Sequence, residues 1–366
     1  MVRFIITRQK LISSSFCLML IFSCIFTMQA RVKNQRATSK NTAVADIAIV
    51  DISENNSELF VAKAQEGVIS SRRINFNNSI NNIINSDELK PFYTFEKGNV
   101  EPTMITYHKG SLINYDQKKP AILELNLDSK VLKTILDTQI AAKLLNKEQF
   151  TIFEKAFRIT ENPMSITVSD SGDIALAGDD SRNIILYKRN AEKLMLLDYQ
   201  TETDEPQRMC FWRNLLLVLN EAGLIYGLNI DSEKIINNPL PIPVYTPDVV
   251  SKPIKVRDFT INNNNLYLTD STKIISFKLE PELFKSVSML NNSVEFKNSK
   301  LPYPLNLIQK TTVPTTSIPI IFENTKNSQL SRIIASKTGL FSLDTNSEQI
   351  RIFKPSRISI KLDEGV

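Results

Sequence analysis

The feature that most constrains this fold is an internal repeat of short apolar runs separated by turn-forming residues. One unit begins at Pro102 and a second begins at Pro163, and each contains four such runs. Aliphatic and β-branched runs favour strands, whereas clusters of Gly, Asp, Asn and Ser favour tight turns. Each unit is therefore predicted to form one four-stranded antiparallel sheet. The predicted strands are 102–107, 112–115, 121–125 and 131–136 in the first unit and 163–168, 174–177, 183–187 and 194–197 in the second.

Weaker copies of the repeat follow along the chain. They are Pro206 with 215–219 and 223–228, Pro253 with 256–261, 266–268 and 274–277, and 318–322 with 333–335 and 339–343. The Asn run 262–265 lies between two strand-like runs and is interpreted as a hairpin connection. The proline-rich segment 239–243 is interpreted either as a stiff link between units or as an extended segment for partner docking.

The period of the repeat predicts the architecture. A four-stranded sheet that recurs about every 45 residues is typical of a β-propeller, in which each blade buries its faces against its neighbours. We therefore predict an all-β, β-propeller-like domain over 43–366, with about seven four-stranded blades. The segment around 137–157 is predicted to be a short helical insertion, with Asp137 as an N-cap. No element is assigned to 72–90.

Individual units resemble known propeller repeats. The turns 169–172 and 177–180, which precede the run 184–187, resemble those of a WD40 or YVTN-type blade. The segments 223–234 and 339–344 look more like the quinoprotein type of repeat. The resemblance implies the β-propeller architecture of the WD40/YVTN/quinoprotein-like repeat superfamily, without a defined family.

The amino terminus has the pattern of a targeting segment. Residues 1–10 carry three positive charges and no negative charge, and 11–28 form an apolar run. This order is typical of a secretory signal peptide, and the run is also close to the length that spans a membrane. Residues 1–30 are therefore predicted to be a signal peptide or membrane anchor, and 31–42 a basic linker.

Three fates of this segment remain open from the sequence. The chain could be cleaved after Ala30, lipidated at Cys24 within a lipoprotein-like box, or retained as a membrane anchor. A chain cleaved after Ala30 keeps only Cys210, so it cannot form an internal disulfide. Cys210 lies in an apolar run and is interpreted as a small core residue rather than a reactive thiol.

The titratable residues limit the chemistry of the chain. His108 is the single histidine, which excludes metal sites with two histidine ligands, and it is interpreted as a solvated turn residue equivalent to Ser169. The densest group of acids could bind Ca²⁺ but is interpreted as turn residues, which bond to their own backbone. These acids are Asp170, Asp173, Asp179 and Asp180. We predict no catalytic residue, no metal ligand and no cofactor.

The charge balance argues against a nucleic-acid partner. Residues 1–30 contain three basic and no acidic side chains, so the rest of the chain has 41 basic and 39 acidic side chains, a net charge of +2. Nucleic-acid binding depends on a strong positive field. A protein partner is predicted instead, with membrane attachment through the amino terminus if that segment is retained or lipidated.

Two functions from different classes follow from the sequence. The first is a non-enzymatic binding or scaffold protein, exported to the periplasm or cell envelope of a bacterium, with outer-membrane assembly as one such role. The alternative is a hydrolase that acts on a carbohydrate or lactone with carboxylates or Ca²⁺ in the central channel. Acidic side chains that converge at the channel mouth would favour the hydrolase.

Overall fold

The structure is a computed structural model, and the residues that it describes lie within 43–366. The described ranges are 44–53, 56–76, 83–85, 88–96, 99–158, 163–178, 183–198, 206–221, 223, 225–230, 241–242, 256–262, 264–270, 273–279, 322–323, 330–337, 339–344 and 349–353. The predicted signal or anchor segment, the basic linker and Cys24 lie outside these ranges. No helix among the described residues is long and apolar enough to cross a membrane.

The described strands form six four-stranded antiparallel sheets. Sheet 1 contains β1 (Asp46–Ser53), β2 (Asn56–Lys63), β3 (Val68–Asn75) and β5 (Lys90–Thr94). Strand β4 (Ile83–Asn85), which lies between β3 and β5 in the chain, belongs to sheet 6. Sheet 2 contains β6 (Pro102–His108), β7 (Ser111–Asp116), β8 (Ala121–Asn126) and β9 (Leu132–Asp137), and sheet 3 contains β10 (Pro163–Val168), β11 (Ile174–Gly178), β12 (Asn183–Lys188) and β13 (Lys193–Asp198). Sheet 4 contains β14 (Pro206–Trp212), β15 (Leu215–Asn220), β16 (Ile225–Asn229) and β17 (Pro241–Ile242), and sheet 5 contains β18 (Asp258–Asn262), β19 (Asn265–Thr269), β20 (Lys273–Lys278) and β21 (Phe322–Glu323). Sheet 6 contains β22 (Leu330–Ala335), β23 (Leu340–Asp344), β24 (Gln349–Phe353) and β4.

The first strands of the six sheets form a closed ring. In chain order β1 contacts β6, β6 contacts β10, β10 contacts β14, β14 contacts β18, β18 contacts β22, and β22 contacts β1. Separate apolar clusters fill the spaces between neighbouring sheets. Because both faces of a sheet are covered, its inner strands are buried on both sides, and all six residues of β7, including the polar Ser111, Asn114 and Asp116, are buried. The described part of the chain is a β-propeller, as the repeats predicted.

The ring is closed by a strand that the sequence analysis left unassigned. Strand β4 pairs with β24 through Asn85 opposite Gln349, Ile84 opposite Ile350 and Ile83 opposite Arg351. Ile84 is buried in the cluster between sheets 6 and 1. The last sheet is thus completed by a strand from the amino-terminal part of the domain, which covers the outer edge of β24.

The predicted number of about seven blades is wrong for the described residues, which form six sheets. The spacing of the units is uneven because a helical insertion separates sheets 2 and 3 and the segment 280–321, outside the described residues, lies between β20 and β21. Dividing the chain length by one period therefore overcounted the blades. Phe322, assigned to the start of the last unit, instead lies in β21, the fourth strand of sheet 5.

The helical insertion is confirmed. Helix α1 (Thr138–Leu144) begins after Asp137, whose Oδ1 accepts a hydrogen bond from Ile140 N at 2.8 Å. Helix α2 (Lys147–Phe157) packs its buried face on sheet 3, and the Phe153 and Phe157 rings stack with centroids 4.7 Å apart. The two helices place additional surface beside the outer strands of sheets 2 and 3.

The local sequence explains the structure of two short connections. Asn262 pairs with Asn265 at the end of the β18–β19 hairpin, which confirms the predicted turn. Pro241 lies in β17, the outermost strand of sheet 4, where its lack of an N–H is tolerated. The proline-rich segment therefore contributes a strand at 241–242 rather than only a link, and its other residues lie outside the described ranges.

Candidate functional site

Six equivalent positions, one on each first strand, surround the centre of the propeller. Each directly precedes a buried apolar residue of the same strand, and we call this set the channel ring. Four of them follow a β-bulge that brings them into the same register. The channel ring consists of Asp46, Met104, Ser165, Arg208, Asp258 and Arg332.

Side chains of the channel ring hydrogen-bond to the next first strand around the ring. Asp46 Oδ2 accepts from Ile105 N at 2.9 Å, and Ser165 Oγ accepts from Met209 N at 2.9 Å. Asp258 Oδ2 accepts from Ile333 N at 2.6 Å. Each bond joins the side chain of one first strand to the backbone of the next first strand. These three side chains therefore fix the relative positions of neighbouring first strands.

The charged members of the channel ring form two ion pairs, of which only one is hydrogen-bonded. Arg332 donates from Nε to Asp46 Oδ1 at 2.8 Å and from Nη2 to Asp46 Oδ2 at 3.0 Å, which is a bidentate pair between the last and first sheets. Arg208 Nε lies 3.4 Å from Asp258 Oδ1, and this buried nitrogen has no hydrogen-bond partner among the described residues. The first pair is complete, whereas the second leaves the Arg208 guanidinium incompletely bonded.

Burial acts on the pKa values of three charged residues of the channel ring, Arg208, Asp258 and Arg332. Burial raises the pKa of Asp258, although Arg208 and Arg332 oppose the change. Burial, followed by repulsion from Arg332, lowers the pKa of Arg208. For Arg332 burial acts toward a lower pKa, but the attraction of Asp46 and Asp258 outweighs it and the pKa is raised.

Cys210 lies two residues beyond Arg208 on β14, and it is a free, partly exposed cysteine packed against the core between sheets 4 and 5. Burial raises the pKa of its thiol despite the nearby arginine. A raised pKa keeps a thiol protonated and weakly nucleophilic at neutral pH. The geometry agrees with the interpretation of Cys210 as a packing residue.

The two buried carboxylates of the channel ring do not have the arrangement of a catalytic acid and base. Asp46 is bonded to a guanidinium and a backbone N–H, and Asp258 accepts a backbone N–H beside Arg208. General acid–base catalysis needs a carboxyl that can exchange a proton with substrate. The acidic side chains expected for the hydrolase alternative do reach the ring, but arginines accompany both.

Sequence reasoning missed the channel ring, although a signal was present. When the first strands are aligned so that Ile47, Ile105, Ile166, Met209, Phe259 and Ile333 coincide, the preceding position is charged in four of six units, at Asp46, Arg208, Asp258 and Arg332. Charged side chains at a position next to a buried strand core are unusual unless they are paired. The partners lie more than 40 residues apart, so pairing itself could not be read from the sequence.

His108 lies at the end of β6 beside the turn of the next sheet. An added Cβ on Gly172, which has a φ of +94°, would lie 3.5 Å from His108 Nε2. Nearby, Arg189 donates two hydrogen bonds to Glu124 at 3.0 and 2.6 Å and links sheets 2 and 3. His108 is therefore half-buried between two sheets rather than the fully solvated turn residue that the sequence predicted.

The pKa of His108 is expected to lie below its usual value of about 6.5. Burial is the main cause, and the positive charges of Lys109 and Arg189 add to it. Because the folded state disfavours the protonated form of His108, this residue stabilises the folded state relative to the unfolded state at pH values above about 6.5. This contribution is lost as the pH falls below that value. The single histidine gives one imidazole resonance set, so a proton NMR titration of the processed protein measures this pKa directly. Lys109→Ala should raise it, and a wild-type pKa at or above 6.5 would contradict the assignment.

The acidic turns predicted from the sequence are only partly described. Ser171 Oγ donates to Asp173 Oδ2 at 3.0 Å, and the Asp173 N–H donates to Ser169 Oγ at 2.9 Å, so this turn is held by its own polar groups. Asp179 and Asp180 lie outside the described residues. Within the described ranges, no group of three or more His, Cys, Asp or Glu side chains is placed to hold a metal ion.

A cleft of about 940 Å³ opens at the outer part of sheet 2. It lies at the same end of the sheets as the channel ring, because its residues Glu101 and Asp116 adjoin the first residue of β6. The lining combines apolar, polar, basic and acidic groups. It includes Val100, Lys118, Lys119, Pro120, Leu132 and Gln139.

Comparisons with known proteins concern the fold alone. No protein-family model matches the chain. No curated protein matches it either. Among solved structures, YCF48 from Cyanidioschyzon merolae is 9% identical, with a TM-score of 0.47 over 87% of this chain and 97% of that one. Virginiamycin B lyase from Staphylococcus aureus is 10% identical, with a TM-score of 0.46 over 86% and 96%, and an auxiliary nutrient binding protein from Bacteroides thetaiotaomicron is 10% identical, with a TM-score of 0.48 over 85% and 68%. The closed ring of four-stranded sheets identifies the chain as a β-propeller.

Proposed function

We propose that this chain is an exported, non-catalytic β-propeller that binds a protein partner in the bacterial cell envelope. The binding face is the end of the sheets that carries the cleft and the channel ring. A scaffold role in outer-membrane assembly belongs to this proposal. The cleft is the observation that carries it.

The cleft has the composition and the setting of a site for an extended peptide segment. Its lining includes the apolar side chains of Val100, Pro120 and Leu132 and the exposed Lys118 and Lys119. Its lining includes residues of β9, the outermost strand of sheet 2, which in the described part of the chain pairs only with β8. An unpaired strand edge beside an amphipathic cleft can accept an added strand through backbone hydrogen bonds.

The proposal of a binding protein rather than an enzyme rests on the channel ring. Its carboxylates are occupied by arginine and backbone donors, so the described channel offers no acid and base poised for substrate. Export is proposed from the order of basic and apolar residues in 1–28. Both parts are open to direct tests.

A photo-crosslinking amino acid at Gln139, an exposed residue of the cleft, should capture a specific protein partner in living cells. The same amino acid at Ser129, an exposed residue in the β8–β9 turn at the opposite end of the sheet, should not capture it. The product is identified by mass spectrometry. Lys118→Glu with Lys119→Glu should reduce the crosslink severalfold, because reversed charge at an interface rim slows association.

A matched double variant tests whether position or charge alone matters. Lys109 and Lys337 are exposed lysines in turns between first and second strands, at the end of the sheets away from the cleft. Lys109→Glu with Lys337→Glu should leave the crosslink unchanged. Equal loss in both double variants, or no partner at Gln139, would overturn the proposed binding face. Turnover of a carbohydrate or lactone by the purified protein, abolished by a chelator, would overturn the non-catalytic part.

A further inference from the structure

The charged side chains of the channel ring differ in exposure. The side chains of Asp46 and Asp258 are 2% and 3% exposed, whereas those of Arg332 and Arg208 keep 14% and 11% of their surface exposed. The guanidinium groups therefore keep more exposed surface than the carboxylates, although the four charges sum to zero. The surface that these four side chains leave exposed is therefore mainly that of the two arginines.

The two arginines differ in what they can still bind. Both Nε and Nη2 of Arg332 donate to Asp46, so the Nε–Nη2 edge of its guanidinium is occupied. The Arg208 side chain makes no hydrogen bond to a described residue, and its buried Nε only approaches Asp258 Oδ1, at 3.4 Å. A buried donor without a partner costs free energy that an acceptor from a ligand would recover. The planar guanidinium fork matches a carboxylate.

We propose that Arg208 binds a carboxylate of the protein partner at the mouth of the channel. This inference rests on the proposed function, since it names the group that the partner inserts. A monoanion fits better than a phosphate, because Asp46 and Asp258 belong to the same cluster and repel a doubly charged group more strongly than a singly charged one. The carboxylate would complete the donor set of Arg208 as Asp46 completes that of Arg332.

The test follows the Arg208 Nε–H signal by NMR in the processed protein labelled with ¹⁵N. Arg208→Lys identifies the signal by its loss. Two probes supply the carboxylate, one on the free carboxyl terminus of acetyl-triglycine and one on the glutamate of acetyl-Gly-Glu-Gly-amide. Acetyl-triglycine amide is the neutral blank, and inorganic phosphate is compared at equal ionic strength. We expect a saturable shift with one or both carboxylate probes and none with the amide.

A variant series separates binding from folding. Arg208→Lys keeps the charge that faces Asp258 but removes the fork, so carboxylate affinity, followed by backbone amide shifts, should fall about tenfold or more. Arg213→Lys is the matched control, because Arg213 is an exposed arginine just beyond the other end of β14 and should not change the affinity. An unchanged far-ultraviolet spectrum and unfolding midpoint show that a variant is folded.

The titrations can either support or overturn the binding of a carboxylate by Arg208. The probe that shifts the signal identifies the source of the carboxylate as a chain terminus or an acidic side chain. No saturable shift, equal affinity in Arg208→Lys, or tighter binding of phosphate would overturn the inference. Crosslinking at Gln139 would still test the cleft independently, so failure here and failure of the proposed function are distinguishable.

Discussion

Replacing Arg332 with methionine should lower the free energy of unfolding by about 3–5 kcal/mol, because it leaves the Asp46 carboxylate buried without its partner. Asp46 is 2% exposed and receives two hydrogen bonds from this arginine. The pair joins β22 of the last sheet to β1 of the first, so its loss also weakens the closure of the ring. Denaturant unfolding of the processed protein, monitored by the fluorescence of its single tryptophan, measures the loss.

The same pair supplies its own control. In the double variant Asp46→Asn with Arg332→Met no charge is left unpaired, and the amide oxygen can still accept a backbone N–H. The double variant should therefore be more stable than Arg332→Met alone. Arg158→Met removes an exposed pair with Glu154 and should cost less than about 1 kcal/mol. If Arg332→Met lowers the free energy of unfolding by less than about 1 kcal/mol, the ion pair between Arg332 and Asp46 does not stabilise the fold.

Replacing Leu18, Leu20 and Ile21 together with glutamate should hold the protein in the cytoplasm. Each charge at the centre of an inserting helix costs about 2.5–3.5 kcal/mol, so three cost about 8–10 kcal/mol and defeat insertion by any of the three processing routes. Cell fractionation with antibody detection measures the change. The matched variant Leu18→Val, Leu20→Val and Ile21→Val keeps the run apolar and should be exported normally.

The processing routes are then separated by the mature amino terminus. A start at Arg31 supports cleavage after Ala30, an acylated Cys24 supports lipidation, and an intact Met1 in the membrane fraction supports a retained anchor. Cys24→Ala should release the protein from the membrane only in the lipidated case. Intact Met1 in the soluble cytoplasm of wild-type cells would refute export, and the envelope location would be withdrawn with it.

Local sequence determined the elements of this domain. Apolar runs bounded by turn residues predicted the strands of sheets 2 and 3, because side-chain shape and turn chemistry act over a few neighbouring residues. The N-cap at Asp137 was recognised for the same reason, since a cap bonds to an N–H three residues away. Repetition of these local patterns was enough to predict a propeller.

Tertiary structure alone decided how the ring closes and where its charges meet. Strand β4 is three residues long, too short for a periodic signal, and it becomes a strand because β24 offers an unpaired edge. The blade number depends on this closure rather than on chain length. Asp46 and Arg332 are neighbours only because the first and last sheets are adjacent in the closed ring, and their low exposure and direct contact set the electrostatics of the channel. Hydrogen bonds and ion pairs between distant residues depend on distances that the sequence does not contain, so the channel ring became visible only in the folded chain.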